Sequence, residues 1–383
     1  MIYLDNAATS WPKPQGVVEE MRRVMTNLAG NPGRGSNRAA VGTAHLVYIV
    51  REQIAGFFNS GAPQRVIFTN NTTHAINQAL FGILQPGDHV ITTSLEHNAV
   101  VRPLKALTEL GVSVTEIPVV PGEKFPFAEF KASFQKSTKL VVTLQASNVS
   151  GNLLPIHKIG ELAREKGVLY LVDAAQTAGI YPIDVKKMAI DLLAFPGHKG
   201  LLGPQGTGGL IIGPNITLCP LIYGGTGSLS ESDRQPDFLP DALESGTLNV
   251  VGISGLGMGL KYIRKYGIDN IRMREQEKCQ QLIDGLQTVP EVRIYGGTNA
   301  SEKAPIVAFN IGGHDSMIIS YLLDKEFGVI SRAGLHCAPR AHTVLGTIDQ
   351  GLVRLSPSHF TTEIEIEQAI EAVRNVAKEL VDR

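Results

Sequence analysis

The sequence has few cysteines, and their number and spacing exclude several kinds of protein. The 383 residues contain three, Cys219, Cys279 and Cys337, which are odd in number and far apart. We therefore expect a reducing compartment, the cytoplasm, rather than a disulfide framework. No CxxC pair is present, so the sequence gives no sign of a structural zinc site.

An excess of one charge and long apolar runs are also missing. The chain carries 35 basic and 36 acidic residues, a formal net charge of −1. This balance gives no case for binding a nucleic acid or a membrane surface. No run of about 18 apolar residues could span a bilayer. The first residues show no secretory signal. We therefore expect no nucleic-acid partner and no membrane association.

Several common catalytic motifs are absent as well. The sequence contains no Walker A motif, no GxGxxG after a first strand, no GxSxG and no HExxH. The glycine-rich run 203–209 leads into a predicted strand, so we interpret it as turns rather than as a nucleotide loop.

The hydrophobic pattern alternates between helices and strands along the whole chain. Strands alternating with helices predict a parallel or mixed sheet with both faces covered. Residues 208–213 are predicted to form an antiparallel strand, and a helical region at 250–287 is predicted to be interrupted near Tyr266 and Gly267. From about Val292 the pattern predicts a smaller α+β unit, within which residues 331–342 are predicted to be a loop.

Two predicted strands end in an amine and a carboxylate. The apolar run 192–195 stops at a Pro-Gly turn that presents Lys199, and the run 168–172 is followed by Asp173. Open α/β sheets place their sites at such strand ends. Pyridoxal phosphate (PLP) needs this pair, a lysine for its Schiff base and an acid for its pyridinium nitrogen. The alternative is two solvated loop residues.

Three more strand ends carry polar groups. Thr72 and Thr73 begin a predicted helix, whose N-terminus either binds a phosphate or is simply capped. His97 either stacks on an aromatic cofactor or is a loop histidine without a role. Asn148 either binds a ring oxygen or a carboxylate, or belongs to an ordinary turn.

One cysteine lies among basic residues. Cys337 is surrounded by Arg332, His336, Arg340 and His342. Positive neighbours favour a thiolate, so Cys337 is the candidate reactive cysteine. A zinc site formed with the two histidines would lack a fourth ligand nearby in the sequence.

A buried arginine is predicted within the apolar strand near residue 353. Arg354 requires an anionic partner at such a place. That partner is either a substrate carboxylate or a protein aspartate or glutamate.

Together these segments resemble the cysteine desulfurase and selenocysteine lyase family of class V aminotransferase-like enzymes, within it the group with a short RxGxHC loop. The resemblance runs through YLDNAAT, TTHAIN, SLEHNA, SNVSG, DAAQ, GHKG, RAGLHCAP and VRLS. It implies a PLP-dependent fold of type I, α/β, with a seven-stranded mixed sheet in a large domain and a smaller α+β C-terminal domain. We place the large domain at 15–255 and the small domain at 1–14 with 256–383. The resemblance also implies a homodimer and a sulfur-acceptor protein.

The resemblance implies a role for each candidate residue. Lys199, Cys337 and His97 would be catalytic, with His97 stacking on the cofactor ring and assisting proton transfer. The cofactor would be held by Thr72, Thr73, His97, Asp173, Gln176, His198 and Lys199, together with Thr247 of the partner subunit. The substrate would be held by Asn148, Arg332 and Arg354.

Two positions depart from the family pattern. Pro196 stands where a serine often binds the phosphate, and Asn37 stands where the segment from Arg34 often reaches a histidine. One phosphate bond must therefore come from elsewhere, and the substrate preference is affected.

The implied reaction converts L-cysteine to L-alanine. Lys199 removes the Cα proton, and the Cys337 thiolate takes the sulfur as a persulfide. Three alternatives are a selenocysteine lyase, which would depend less on Cys337, another PLP-dependent aminotransferase or C–S lyase, and a non-catalytic protein that kept the fold. The pathway served, iron–sulfur assembly among others, is not specified by the sequence.

Overall fold

The computed structural model describes residues 1–28, 30–33 and 37–381. Its helices are α1 (Gln15–Asn27), α2 (Arg38–Phe57), α3 (Thr72–Ile83), α4 (Asn98–Glu109), α5 (Phe127–Ala132), α6 (Ile156–Glu165), α7 (Val250–Tyr266), α8 (Ile268–Gln287), α9 (Ser316–Phe327), α10 (Pro339–Leu345) and α11 (Glu363–Val381). Its strands are β1 (Ile2–Tyr3), β2 (Val66–Thr69), β3 (His89–Thr93), β4 (Ser113–Ile117), β5 (Thr138–Leu144), β6 (Leu169–Asp173), β7 (Leu192–Pro196), β8 (Gly208–Ile212), β9 (Val292–Tyr295), β10 (Val307–Ile311), β11 (Val329–Ile330), β12 (Arg332–Gly334) and β13 (Leu352–Leu355).

The large sheet has seven strands in the order β2-β8-β7-β6-β5-β3-β4. Strand β8 runs antiparallel to both of its neighbours, and the other pairs are parallel. The predicted mixed seven-stranded sheet is therefore confirmed. Helices cover both faces at its centre, so every side chain of β7 and every side chain of β5 except that of Lys139 is buried.

A second, antiparallel sheet follows the order β12-β13-β10-β9, and β1 pairs in parallel with β11 beside it. Its core includes Leu282, Phe309 and Val373, from α8, β10 and α11. The chain thus begins beside the C-terminal strand β11, and the assignment of residues 1–14 to the small domain stays a prediction. The boundary at 255 stays a prediction.

Glycines allow two elements to approach the turn that carries Lys199. A Cβ on Gly259 of α7 would lie 2.2 Å from the carbonyl oxygen of Leu201. A Cβ on Gly179, whose φ is +91°, would lie 2.2 Å from the carbonyl oxygen of Gly200. Larger residues at either position would displace this turn.

Most predicted elements are present, and the differences are local. Residues 332–334 form the edge strand β12, and 339–345 form α10, where we predicted a loop. Both are short, and Gly334 and Pro339 interrupt any regular pattern. Among the described residues, no helix is both long and apolar enough to cross a membrane.

Candidate active site

The carboxyl ends of β6 and β7 bring Asp173 and Lys199 to one cavity. The two strands are paired, with Asp173 opposite Ala194, and the turn after Pro196 carries Lys199 back to the strand ends. The cavity has an empty volume of about 550 Å³, including space open to solvent, and both residues line it. This is the edge at which open α/β sheets bind ligands.

Both groups have shifted pKa values. Burial and, to a smaller extent, the cations Arg354 and Arg332 lower the pKa of Lys199 to about 8, against the opposing charge of Asp173. Burial raises the pKa of Asp173 to about 6, against the hydrogen bond from the Ala175 amide and the charge of Lys199. Lys199 therefore has a substantial neutral fraction near pH 8, as a nucleophile or base requires.

The N-terminus of α3 opens onto the same cavity. Asn71 caps the helix by accepting from the amide of His74 at 2.9 Å, while Thr72 and Thr73 occupy its first turn and line the cavity. First-turn amides have no intrahelical partner, and the helix dipole favours an anion there. His198 lines the cavity too. Helix capping and phosphate binding are therefore compatible at this N-terminus, because Asn71 provides the cap and leaves Thr72 and Thr73 available for a phosphate.

His97 is the N-cap of α4 and lines the cavity. Its Nδ1 accepts from the amide of Ala99 at 3.0 Å, so the remaining proton of the neutral ring lies on Nε2. Burial, with Lys199 and nearby arginines, lowers the pKa of His97 to about 4. The ring is therefore neutral at physiological pH.

Asn148 and Arg354 are joined to each other and to the cysteine loop. The Asn148 side-chain amide donates to the main-chain carbonyl of His336 at 2.7 Å, and the main-chain carbonyl of Asn148 accepts from Arg354 at 2.8 Å. Arg354 also donates to Asp5 at 2.8 Å, and Arg332 lies 3.8 Å from Asp5. The structure thus supplies a protein carboxylate for Arg354, the alternative that the sequence left open.

Cys337 is exposed and lies on a short loop fixed against α4. Its carbonyl accepts from the amide of Asn98 at 2.8 Å, next to His97. Both His336 and Cys337 have positive φ, 51° and 56°, a conformation that is unfavourable for residues other than glycine. Their backbone is therefore held by its surroundings, including the bond from Asn148.

The structure places less positive charge around Cys337 than the sequence predicted. His336 and His342 stack on each other with centroids 5.6 Å apart, and burial lowers the pKa of both rings. Arg340 is paired with Glu116. Within the described residues, no group of three or more histidine, cysteine, aspartate or glutamate side chains is arranged to hold a metal ion.

An N-terminal strap, residues 5–13, was missed as part of the site by the sequence analysis. The His198 carbonyl accepts from the hydroxyls of Thr9 and Ser10 and, at 2.7 Å, from Lys13. Ser10 also donates to the carbonyl of Lys199 at 2.9 Å. The strap thus fixes the catalytic turn, although its YLDNAAT motif had contributed only to the resemblance.

Glu96 is a second residue that the sequence analysis missed. It is fully buried, accepting from the Thr93 hydroxyl at 2.6 Å and the Leu144 amide at 3.1 Å. Its Oε2 has no hydrogen-bond partner, and burial raises its pKa to about 8. A single charged residue before His97 gives no burial signal in the sequence.

Among the remaining described residues named from the sequence, Pro196 lines the cavity, whereas Thr247 and Asn37 do not. Thr247 lines a different pocket of the same chain, and its contact with the cofactor of a second subunit stays a prediction. Arg34 lies outside the described residues. Asn37 caps α2 by accepting from the Ala40 amide at 2.9 Å, and Pro196 ends β7.

The residues around the cavity fit pyridoxal phosphate. Lys199 and Asp173 supply the amine and the acid, and the α3 N-terminus with His198 suits the phosphate. The buried Oδ1 of Asn148 has no partner. Gln176 uses one side-chain proton on the carbonyl of Ala7 at 3.2 Å and has a second available.

The chain is similar to known proteins along almost its whole length. The sequence profile of the family described as Aminotransferase class-V matches residues 2–369. A "Probable cysteine desulfurase" of Methanothermobacter thermautotrophicus is 33% identical, covering 98% of this chain and 94% of its own. A "Cysteine desulfurase" of Serratia proteamaculans is 30% identical over 99% of this chain and 94% of its own.

Solved structures show the same likeness. The apo structure of a cysteine desulfurase from Thermococcus onnurineus superimposes with a TM-score of 0.92 at 30% identity, covering 99% of this chain and 95% of that one. The Escherichia coli cysteine desulfurase CsdA gives 0.87 at 28% identity, with coverages of 99% and 95%. The chain belongs to the aminotransferase class-V family and, within it, to the cysteine desulfurases.

Proposed function

We propose that this protein converts L-cysteine to L-alanine and takes the sulfur onto Cys337. The observation that carries the proposal is the position of Cys337. It is exposed, and its backbone is bonded to the α4 N-terminus beside His97, which shares a cavity with Lys199 and Asp173. A thiol that takes sulfur from a substrate held at Lys199 needs this combination of access and proximity.

Pyridoxal phosphate, when bound, supplies an electron sink that makes the substrate Cα proton acidic. Asp173 would hold the ring nitrogen, Gln176 the ring hydroxyl oxygen, and His97 would lie on the ring face. Thr72, Thr73 and His198 would hold the phosphate, together with Thr247 of the partner subunit.

Lys199 is suited to remove the Cα proton. Its pKa of about 8 leaves a useful neutral fraction at physiological pH, and its position at the strand end points it to the same cavity as Asp173. Asn148, Arg332 and Arg354 would hold the substrate carboxylate, which keeps the Cα–H bond near the amine.

The sulfur transfer is balanced without another oxidant or reductant. The Cys337 thiolate attacks the substrate sulfur, so a sulfur–sulfur bond forms and the carbon–sulfur bond breaks. The electron pair of that bond goes to the substrate carbon, which takes up a proton and leaves as part of alanine. Cys337 keeps the sulfur as a persulfide, whose exposure suits delivery to an acceptor protein.

We further propose that the protein works as a homodimer in the cytoplasm. The location of Thr247 away from its own cavity supports a site shared between two subunits. Cys219, Cys279 and Cys337 are free thiols in the structure, which agrees with a reducing compartment.

The test is to incubate the PLP-loaded protein with L-cysteine or L-selenocysteine and to quantify alanine, sulfide and persulfide on Cys337. We expect alanine from cysteine and a persulfide, both lost in Cys337→Ala and retained in Cys219→Ala, which removes another exposed thiol. Alanine from selenocysteine only, surviving Cys337→Ala, would instead identify a selenocysteine lyase. Keto-acid or ammonia products independent of Cys337 would identify another PLP-dependent enzyme.

A further inference from the structure

Arg354 forms a nearly completely buried ion pair with Asp5. Nη2 of Arg354 donates to Oδ1 of Asp5 at 2.8 Å, and the side chains are 3% and 15% exposed. Nη1 donates to the carbonyl of Asn148, also at 2.8 Å. Two fixed contacts on a planar group define its orientation, so the guanidinium cannot rotate without breaking one of them.

The backbone holds Asp5 beside Arg354. Asp5 forms a β-bridge with Ser356, two residues after Arg354 on the same chain segment. The Ser356 amide donates to the carbonyl of Leu4 at 2.7 Å, and the Asn6 amide donates to the carbonyl of Ser356 at 3.2 Å. Asp5 is therefore a fixed support rather than a group free to swing away.

Unmet hydrogen-bonding capacity remains next to this pair. Nε of Arg354 is buried and has no partner, and the same is true of Oδ1 of Asn148. Arginine carries five N–H donors, of which Asp5 and the Asn148 carbonyl occupy one each. A buried donor without a partner is unfavourable, so these remaining donors point to a ligand that completes them.

The charges of Asp5, Arg332 and Arg354 sum to one positive charge, which one bound anion would neutralise. Asp5 is the carboxylate between two guanidinium groups, with Oδ2 at 3.8 Å from Nη1 of Arg332. Arg354 and Arg332 together carry two positive charges and Asp5 carries one negative charge. The remaining positive charge matches the single α-carboxylate of a neutral amino acid.

We propose that Asp5 is a positioning residue, which holds Arg354 so that its free donors receive the α-carboxylate of the amino-acid substrate. The inference rests on the proposed function, because that function places the substrate at this cavity. It extends that function because it makes Asp5, in the N-terminal strap, responsible for the preference for substrates that carry an α-carboxylate.

Two substitutions of Asp5 distinguish its role in orienting Arg354 from the effect of its negative charge. Asp5→Asn keeps an oxygen that accepts from Nη2 but loses the negative charge, whereas Asp5→Ala loses both. We expect Asp5→Ala to weaken the binding of L-alanine, the product, by about tenfold or more, and Asp5→Asn to lie between it and the wild type. L-Alaninamide, which lacks the carboxylate, should bind all three proteins equally.

The experiment is a calorimetric titration of the PLP-loaded proteins with L-alanine and with L-alaninamide, alongside KM and kcat for L-cysteine. We expect KM to change more than kcat. Asp269→Ala is the matched control, because it removes an exposed carboxylate that is paired with an arginine, Arg272, on α8, and its affinities should equal those of the wild type. Thermal unfolding checks that each variant is folded.

Three outcomes would overturn the inference: equal L-alanine affinity in Asp5→Ala, tighter binding in either Asp5 variant, or equal losses for both ligands. Tighter binding would mean that Asp5 competes with the substrate. If the wild type made no alanine from cysteine while Asp5→Ala still lost its carboxylate preference, the proposed function would fail and the role of Asp5 would stand.

Discussion

Glu96 is buried next to His97 in the chain, yet none of the proposed steps uses its carboxyl group. Its pKa of about 8, raised by burial from 4.5, means that the native state retains a proton that the unfolded chain loses. For such a group the native state has its full stability below pH 4.5 and loses stability as pH rises to about 8. Glutamine keeps the oxygen that accepts from Thr93 and Leu144 and carries no charge.

We therefore predict that Glu96→Gln stabilises the protein at high pH. The free energy of unfolding should match the wild type at pH 4.5 and exceed it at pH 8.5 by about 4 kcal/mol. Urea unfolding of the cofactor-free proteins at both pH values measures this difference. Glu109→Gln on the exposed face of α4 should show none. A difference that does not change with pH would contradict the raised pKa.

The pKa of Lys199 predicts how the protein takes up its cofactor. Uptake of PLP by the cofactor-free protein requires a neutral amine, so its rate should rise with pH and level off above about 8. Asp173→Asn removes a charge that raises the pKa of Lys199, so the midpoint should move to lower pH. Stopped-flow absorbance measures the rate, with Lys199→Ala as the control. A midpoint near the ordinary lysine value would show that the amine is not desolvated.

Single residues show what the sequence can and cannot predict. Lys199 and Asp173 were predicted because Asp173 directly follows one apolar strand and Lys199 follows another after a Pro-Gly turn, and the sheet then places strand ends together. The pairing of Arg354 with Asp5 joins positions 349 residues apart. No local pattern contains such a contact, because it depends on β1 returning to the C-terminal unit.

At the scale of elements, the predicted helices 316–327 and 363–381 have the bounds observed, since each shows a long regular apolar pattern. Strand β12 was not predicted because it has three residues at a sheet edge. It nevertheless matters, because it carries Arg332 and leads directly into the cysteine loop.

The cysteine loop is supported by His342 in the last turn of the short helix α10, and this predicts an effect of replacing His342. Its Nε2 lies 3.4 Å from Nδ1 of His336, and its Nδ1 lies 2.9 Å from the hydroxyl of Thr347. His342→Ala should free His336 and the strained backbone beside it. We expect slower persulfide formation on Cys337, by about tenfold, with unchanged affinity for PLP.

Two measurements check the role of His342. Hydrogen exchange followed by mass spectrometry should show faster exchange in residues 335–346 of His342→Ala. Thr343→Ala, an exposed neighbour on the same helix, should behave as the wild type. Unchanged exchange together with unchanged persulfide formation would show that the loop is held by Asn148 and Asn98 alone.

At the scale of the whole molecule, the N-terminal strap joins the two sheets. Its first part bonds Ser356 and Arg354 of the C-terminal unit, and its last part bonds His198 and Lys199 of the large sheet. The substrate and catalytic groups are therefore fixed by one continuous segment. The sequence predicted that residues 1–14 join the small domain but not that they also contact Lys199.

The proposed dimer predicts that two inactive variants restore each other. If the partner's Thr247 completes each site, a mixed dimer of Lys199→Ala and Thr247→Glu has one doubly altered site and one intact site. Random mixing makes half of the dimers mixed, so activity should reach about a quarter of the wild-type value. Thr73→Glu is the matched control, because Thr73 shares a cavity with Lys199 of its own chain, and its mixture with Lys199→Ala contains no intact site. The variants are unfolded and refolded together, and alanine formation is compared with the sum of the separate proteins. Recovery only in the Thr247 mixture requires a site shared between subunits, whereas no recovery in either would place the whole site in one chain.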